Sequence, residues 1–105
     1  MKKILFLALI SIGIWSGCSK DSTTASSYTP TCNGTVKSYR TDVAPVIEAA
    51  CAGCHQNFSS YSSLFASRSS VRSAIVSGQM PRGSSLSTAQ KDAIACWIDN
   101  GAPNN

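Results

Sequence analysis

Cys51-Ala52-Gly53-Cys54-His55 is the stretch on which the reading of this 105-residue chain turns. Two thiols three residues apart, followed at once by an imidazole, form a CxxCH pattern, the attachment signature of c-type haem. The spacing has a physical cause. Thiols so placed on one turn of backbone reach the two vinyl groups on one edge of a porphyrin, and His55 then sets a ring nitrogen on the iron from one face. That role needs a neutral imidazole whose other nitrogen donates to a carbonyl, which fixes the tautomer. His55 is the only histidine in the chain. Two other chemistries use such residues. A redox dithiol at Cys51 and Cys54 prefers a βαβ context of alternating strands, which the sequence does not offer. A zinc site needs paired ligand spacings, which one histidine and scattered thiols do not give.

A six-coordinate haem iron needs a donor on its second face. Apart from Met1, the only methionine is Met80. It stands directly before Pro81, which pushes it into extended backbone and removes the next backbone donor. The Gly78-Gln79-Met80-Pro81-Arg82-Gly83 loop can therefore lie along a haem edge with the thioether sulfur pointing inward. Taken alone, Met80 reads as a gap-filling core residue; beside CxxCH it is the candidate second axial ligand. Arg82 is the candidate partner for a haem propionate.

The surrounding pattern is helical. Val43, Ile47, Ala50 and Cys54 fall at i, i+4, i+7 and i+11, one face of a helix entering the motif. Thr41 or Asp42 can cap it, and Pro45 is tolerable only in its first turn. Short helices are expected over 62–67 and 71–77, with Gly78 as the stop. The clearest helix begins at Ser87, where Ser87-Thr88-Ala89-Gln90 makes a capping box, and runs to Asn100 before Gly101 and Pro103 end it. Its stripe of Ala93, Ile94, Trp97 and Ile98 is expected to pack on the first helix and the haem edge, with Trp97 as core.

The two ends place the chain in the cell. Met1, Lys2 and Lys3 precede an apolar run over 4–14 that spans about 16 Å as a helix, roughly half of a bilayer core, as a signal-peptide h-region does. Residues 1–17 are thus read as a leader and 18–31, rich in Ser and Thr, as a tether. The globular domain is expected over 32–105. At about 70 residues, a side-chain core alone supplies little net stability. Apolar residues at 43% exclude a disordered chain, and five cysteines point away from a reducing cytosol. The net charge of +4 falls to +2 without Lys2 and Lys3, with no concentrated basic stripe for nucleic acid. Cys32 and Cys96 remain. Cys96 lies beside the apolar stripe of the last helix, where an incoming N-terminal segment can meet it, so a Cys32–Cys96 disulfide is expected, with two free thiols as the alternative.

Two resemblances follow from these residues. Ser16-Gly17-Cys18 after an apolar run resembles the lipobox of bacterial lipoproteins, which implies lipidation at Cys18 and a lipid anchor in the cell envelope, periplasmic or surface-facing. The alternative is an ordinary secreted protein with Cys18 free. Cys51 to His55, Met80-Pro81 and the ending from Ala95 to Pro103 together resemble a small class I cytochrome c. With the lead-in from Asp42 to Ile47, they are similar to short lipoprotein cytochromes of Bacteroidetes-type bacteria. The resemblance covers about residues 39–105 and implies an all-α fold wrapped around one covalent haem c. His55 and Met80 are only 25 residues apart, shorter than the usual class I interval, which implies an abbreviated middle helix.

The expected function is that of a one-electron carrier with His55 and Met80 as axial ligands, not an enzyme, with unidentified redox proteins as partners and no small-molecule substrate. Lys37, Arg40, Arg68, Arg72, Arg82 and Lys91 could supply a mild steering field. A haem protein with an open or labile sixth position, serving as gas sensor or minor peroxidase, is the alternative, although the chain has no second histidine and no evident distal acid–base group. A third reading is a structural lipoprotein without cofactor.

Overall fold

Residues 28–105 are described by the computed structural model of this protein. The expected leader, Cys18 and the tether as far as residue 27 lie outside the described residues. Within them the chain is helical and contains no strand, so the fold class is all-α.

Pro45 shapes the first helical rod. Tyr39–Val43 is a π-helical turn in which Val43 N–H donates to the Ser38 carbonyl at 3.2 Å and Ala44 N–H donates to that of Tyr39. It runs directly into α1, Ala44–Ala50. Proline lacks a donor and its ring crowds the carbonyl four residues back, so a widened turn just ahead of it relieves the clash. Val43 and Ile47 are buried as their spacing predicts. Two details differ from expectation. Neither Thr41 nor Asp42 caps the rod, because the helical backbone already begins at Tyr39; Asp42 instead reaches back, its Oδ2 accepting from Ser38 N–H at 2.7 Å. The rod also stops at Ala50 rather than carrying Cys54 on its face. The N–H groups of Cys51 and Ala52 both donate to the Ile47 carbonyl, at 2.8 and 2.9 Å, and the chain leaves the helix there.

A 3-10 turn, Gln56–Ser59, follows the motif. Next come α2, Tyr61–Ala66, whose Ser60 Oγ accepts from Ser63 N–H at 3.3 Å, and α3, Arg68–Val76. The start of α3 lies three residues before the predicted one, since Arg68-Ser69-Ser70 shows no apolar period. Arg68 is held over the Phe65 ring, 4.0 Å from its centroid, and donates to the Phe65 carbonyl. The last helix, α4, is Thr88–Asp99, with the expected capping box: Ser87 Oγ accepts from Gln90 N–H and Gln90 Oε1 accepts from Ser87 N–H. None of these helices is long and apolar enough to cross a membrane.

The core gathers Val43, Ile47, Leu64, Val71, Ile75, Leu86, Ile94 and Trp97. In α4 all five residues from Ala93 to Trp97 are buried, while Ile98 is only half-buried. A four-residue stripe gave too narrow a face, because α3 and the π-helical turn both pack on this helix. Trp97 is fully buried among Tyr39 and Tyr61 and donates from Nε1 to the Pro103 carbonyl at 2.9 Å. Cys32 and Cys96 stand at disulfide distance, Cα to Cα 5.3 Å. Residues at the end of the expected tether also dock: the Tyr28 hydroxyl and Thr31 N–H both donate to Oδ1 of Asp92 on α4.

Candidate functional site

The motif loop is a tight reversal built on one carbonyl. Cys51 C=O accepts from Cys54 N–H at 3.2 Å and from His55 N–H at 2.8 Å, which folds the two thiols and the imidazole into successive corners of one turn. Phe58 N–H then donates to the His55 carbonyl at 2.9 Å, and the 3-10 turn carries the chain into α2. Cys51 is half-buried, whereas Cys54 and His55 are exposed.

The Met80 loop is positioned just as locally. Gly78, at φ +76°, takes the left-handed conformation that ends α3, and the chain doubles back far enough for Met80 N–H to donate to the Ala74 carbonyl at 3.1 Å. Pro81 follows with no donor to satisfy. The result is a short arm that returns Met80 along the last turn of α3.

Both segments line one cavity of about 270 Å³. The motif contributes Cys51, Cys54, His55 and Phe58 to its wall; the loop contributes Met80, Pro81 and Arg82. Between them α3 lays Val71, Ala74 and Ile75, at i, i+3 and i+4, with Ser70 at the side. All four residues read from the sequence as haem-holding, Cys51, Cys54, His55 and Met80, therefore share one space, and Arg82 is the single charged residue on its wall. No residue of α4 lines the cavity, contrary to the expected contact between its stripe and this site; that stripe is buried instead against α3 and the π-helical turn.

Two features were not read from the sequence. The α3 wall escaped although 71–77 was read as helical, because the i, i+3, i+4 spacing of Val71, Ala74 and Ile75 marks an apolar face without saying which space it lines. Phe58 escaped although its position three residues after His55 was visible: its ring stacks on the imidazole, centroids 5.1 Å apart and planes 20° apart. The expected carbonyl partner for the His55 ring is absent among the described residues, and Phe58 occupies the ring's flank instead.

The electrostatics are simple. Burial pushes the Cys51 thiol above its ordinary range. It is therefore kept as the neutral thiol, the reverse of the depressed thiol that a dithiol redox centre uses as its nucleophile. Among the described residues no three of His, Cys, Asp and Glu converge as a metal cluster, so a zinc-type ligand set is not assembled. The basic residues expected to steer partners are partly engaged elsewhere. Arg72 makes a two-pronged pair with Asp99, at 2.6 and 2.8 Å; Arg68 lies on Phe65, and Lys91 over the Tyr28 ring. What the cavity combines is two thiols, one imidazole, one thioether and one guanidinium, around mostly apolar walls. No family model, curated protein sequence or solved structure matches the chain.

Proposed function

We propose that this protein is a one-electron carrier built around a single covalent haem c. The observation that carries the reading is the meeting of the CxxCH loop and the Met80 arm on one apolar cavity. The donor chemistry fits the group. Cys51 and Cys54 would hold it through two thioethers, and His55 and Met80 would fill its two axial positions. When bound, such a haem supplies an iron that alternates between ferric and ferrous, so that one electron passes without a substrate bond being made or broken.

The chain's own residues would then set the conditions. A thioether from Met80 favours the ferrous state relative to a second imidazole. Val71, Ala74 and Ile75 keep water from one side of the cavity, which disfavours the added charge of the ferric form. Arg82, exposed at the cavity wall, is placed to balance a propionate carboxylate.

The test is an optical redox titration of full-length protein produced with haem-attachment machinery. Haem that stays with the polypeptide on a denaturing gel, and a near-infrared sulfur-to-iron band in the ferric protein that disappears in Met80→Ala, are the expected results. A polypeptide that retains no haem on the Cys51–His55 peptide overturns the proposal. Retained haem that binds CO rapidly when reduced, and equally in Met80→Ala, replaces it with the open-site reading.

A further inference from the structure

The stack of Phe58 on His55 has a backbone cause. A 3-10 helix has three residues per turn, so side chains at i and i+3 eclipse one another. His55 immediately precedes the 3-10 turn Gln56–Ser59, and the hydrogen bond from Phe58 N–H to the His55 carbonyl closes that turn. The turn brings the two residues to one side, and their rings stack there, centroids 5.1 Å apart and only 20° from parallel. Phe58 is itself anchored, half-buried and packed on the hydrophobic core, whereas His55 is exposed. The fixed ring carries the free one.

A metal-binding histidine is ordinarily oriented by an acceptor for its second ring nitrogen. Among the described residues neither nitrogen of His55 has a hydrogen-bond partner, so that device is missing on the protein side. Rotation of the imidazole about its bond to Cβ would lift it from the Phe58 face and lose the stacking contact. We propose that Phe58 is a positioning residue that sets the plane of the His55 imidazole by stacking, in place of a carbonyl acceptor. The proposal rests on the reading of His55 as an axial ligand, and it adds what holds that ligand.

Two variants separate orientation from packing. Phe58→Leu keeps an apolar side chain without a face; Phe58→Tyr keeps the face. In the haem-loaded ferric protein, the order and spread of the haem-methyl proton resonances report the plane of the axial imidazole. The expected result is a rearranged methyl pattern in Phe58→Leu and a wild-type pattern in Phe58→Tyr. A Phe58→Leu protein that unfolds at lower temperature yet keeps the wild-type methyl pattern overturns the proposal, because Phe58 is then packing alone. The protein before haem addition gives a second measurement. The His55 ring protons are expected to be shifted upfield by the Phe58 ring current in wild type and Phe58→Tyr, and to lose that shift in Phe58→Leu. No upfield shift in wild type also overturns the proposal. Failure of haem to attach is a distinct result that strikes the functional reading, while the ring-current measurement still decides the stack.

Discussion

Asp92 accepts two hydrogen bonds from a segment that lies more than sixty residues earlier in the chain, one from the Tyr28 hydroxyl and one from Thr31 N–H. Both favour the ionised carboxylate, so its pKa is held below the usual carboxylate range, with the Tyr28 bond as the larger cause. The Tyr28 hydroxyl is pushed the opposite way, by burial first and by Asp92 second. A carboxyl whose folded pKa is lowered contributes its stability in full above the unfolded value of about 3.9, and loses it as pH falls through the lowered one. Asp92→Asn should therefore be less stable than wild type near neutral pH, with the gap closing below about pH 4 in urea denaturation. A gap of equal size across that range would refute the assignment. Nothing in the local sequence announces this contact. Asp92 sits on the polar side of a helix pattern, and Tyr28 falls in a Ser/Thr-rich stretch that reads as a tether. The pairing of His55 with Phe58 is the contrary case, because an i, i+3 relation is local and therefore open to reading.

At the level of elements, what could be read in advance was what is settled within four or five residues. The Ser87 capping box, the Gly78 stop and the alternation of buried Val43 and Ile47 are all of this kind, and each stands in the structure. Ser87→Ala removes the side-chain acceptor for Gln90 N–H and should cost about 1 kcal/mol in thermal or chemical denaturation. Gly78 carries a different burden. Nothing lies within 4 Å of a Cβ built there, so Gly78→Ala meets no clash, and its cost is the left-handed backbone alone, roughly 1–2 kcal/mol. Because the Met80 arm hangs on that residue, the same substitution should weaken the near-infrared sulfur-to-iron band of haem-loaded protein; an unchanged band would detach Met80 from the geometry of the α3 terminus. The errors were equally local in origin. A period of 3.6 places Cys54 on the face of Val43 and Ile47, yet periodicity cannot see the Ile47 carbonyl taking two successive N–H groups and ending the rod. Nor can it see that a proline in the first turn is accommodated by a π-helical turn before it.

Across the whole molecule, both ends of the described chain are held to the helices, and the strengths of the ties differ. The C-terminal residues are pinned by Arg40 N–H to the Asn105 carbonyl, the Tyr61 hydroxyl to that of Ala102 and the Trp97 indole to that of Pro103, each at 3.0 Å or less. Such bonds contribute about 1 kcal/mol apiece. The Arg72–Asp99 pair is more than a third exposed on each side chain, so it contributes at most about 1 kcal/mol despite its good geometry. The juxtaposition of Cys32 and Cys96 outweighs these single ties. A bond between them closes a loop across a sequence separation of 64 and, in the chain-entropy account, stabilises the fold by about 4 kcal/mol. For a domain of about 70 residues that is comparable to the whole of its net stability. Thiol labelling of denatured, unreduced protein should accordingly leave Cys32 and Cys96 unmodified, and the Cys32→Ser, Cys96→Ser double variant should lose about 4 kcal/mol in denaturant unfolding. Labelling of both residues would mean two separate thiols. The N-terminal segment would then rest on the Tyr28 and Thr31 hydrogen bonds to Asp92 and on Lys91 over the Tyr28 ring, and the acid sensitivity of Asp92 would weigh more heavily on the attachment.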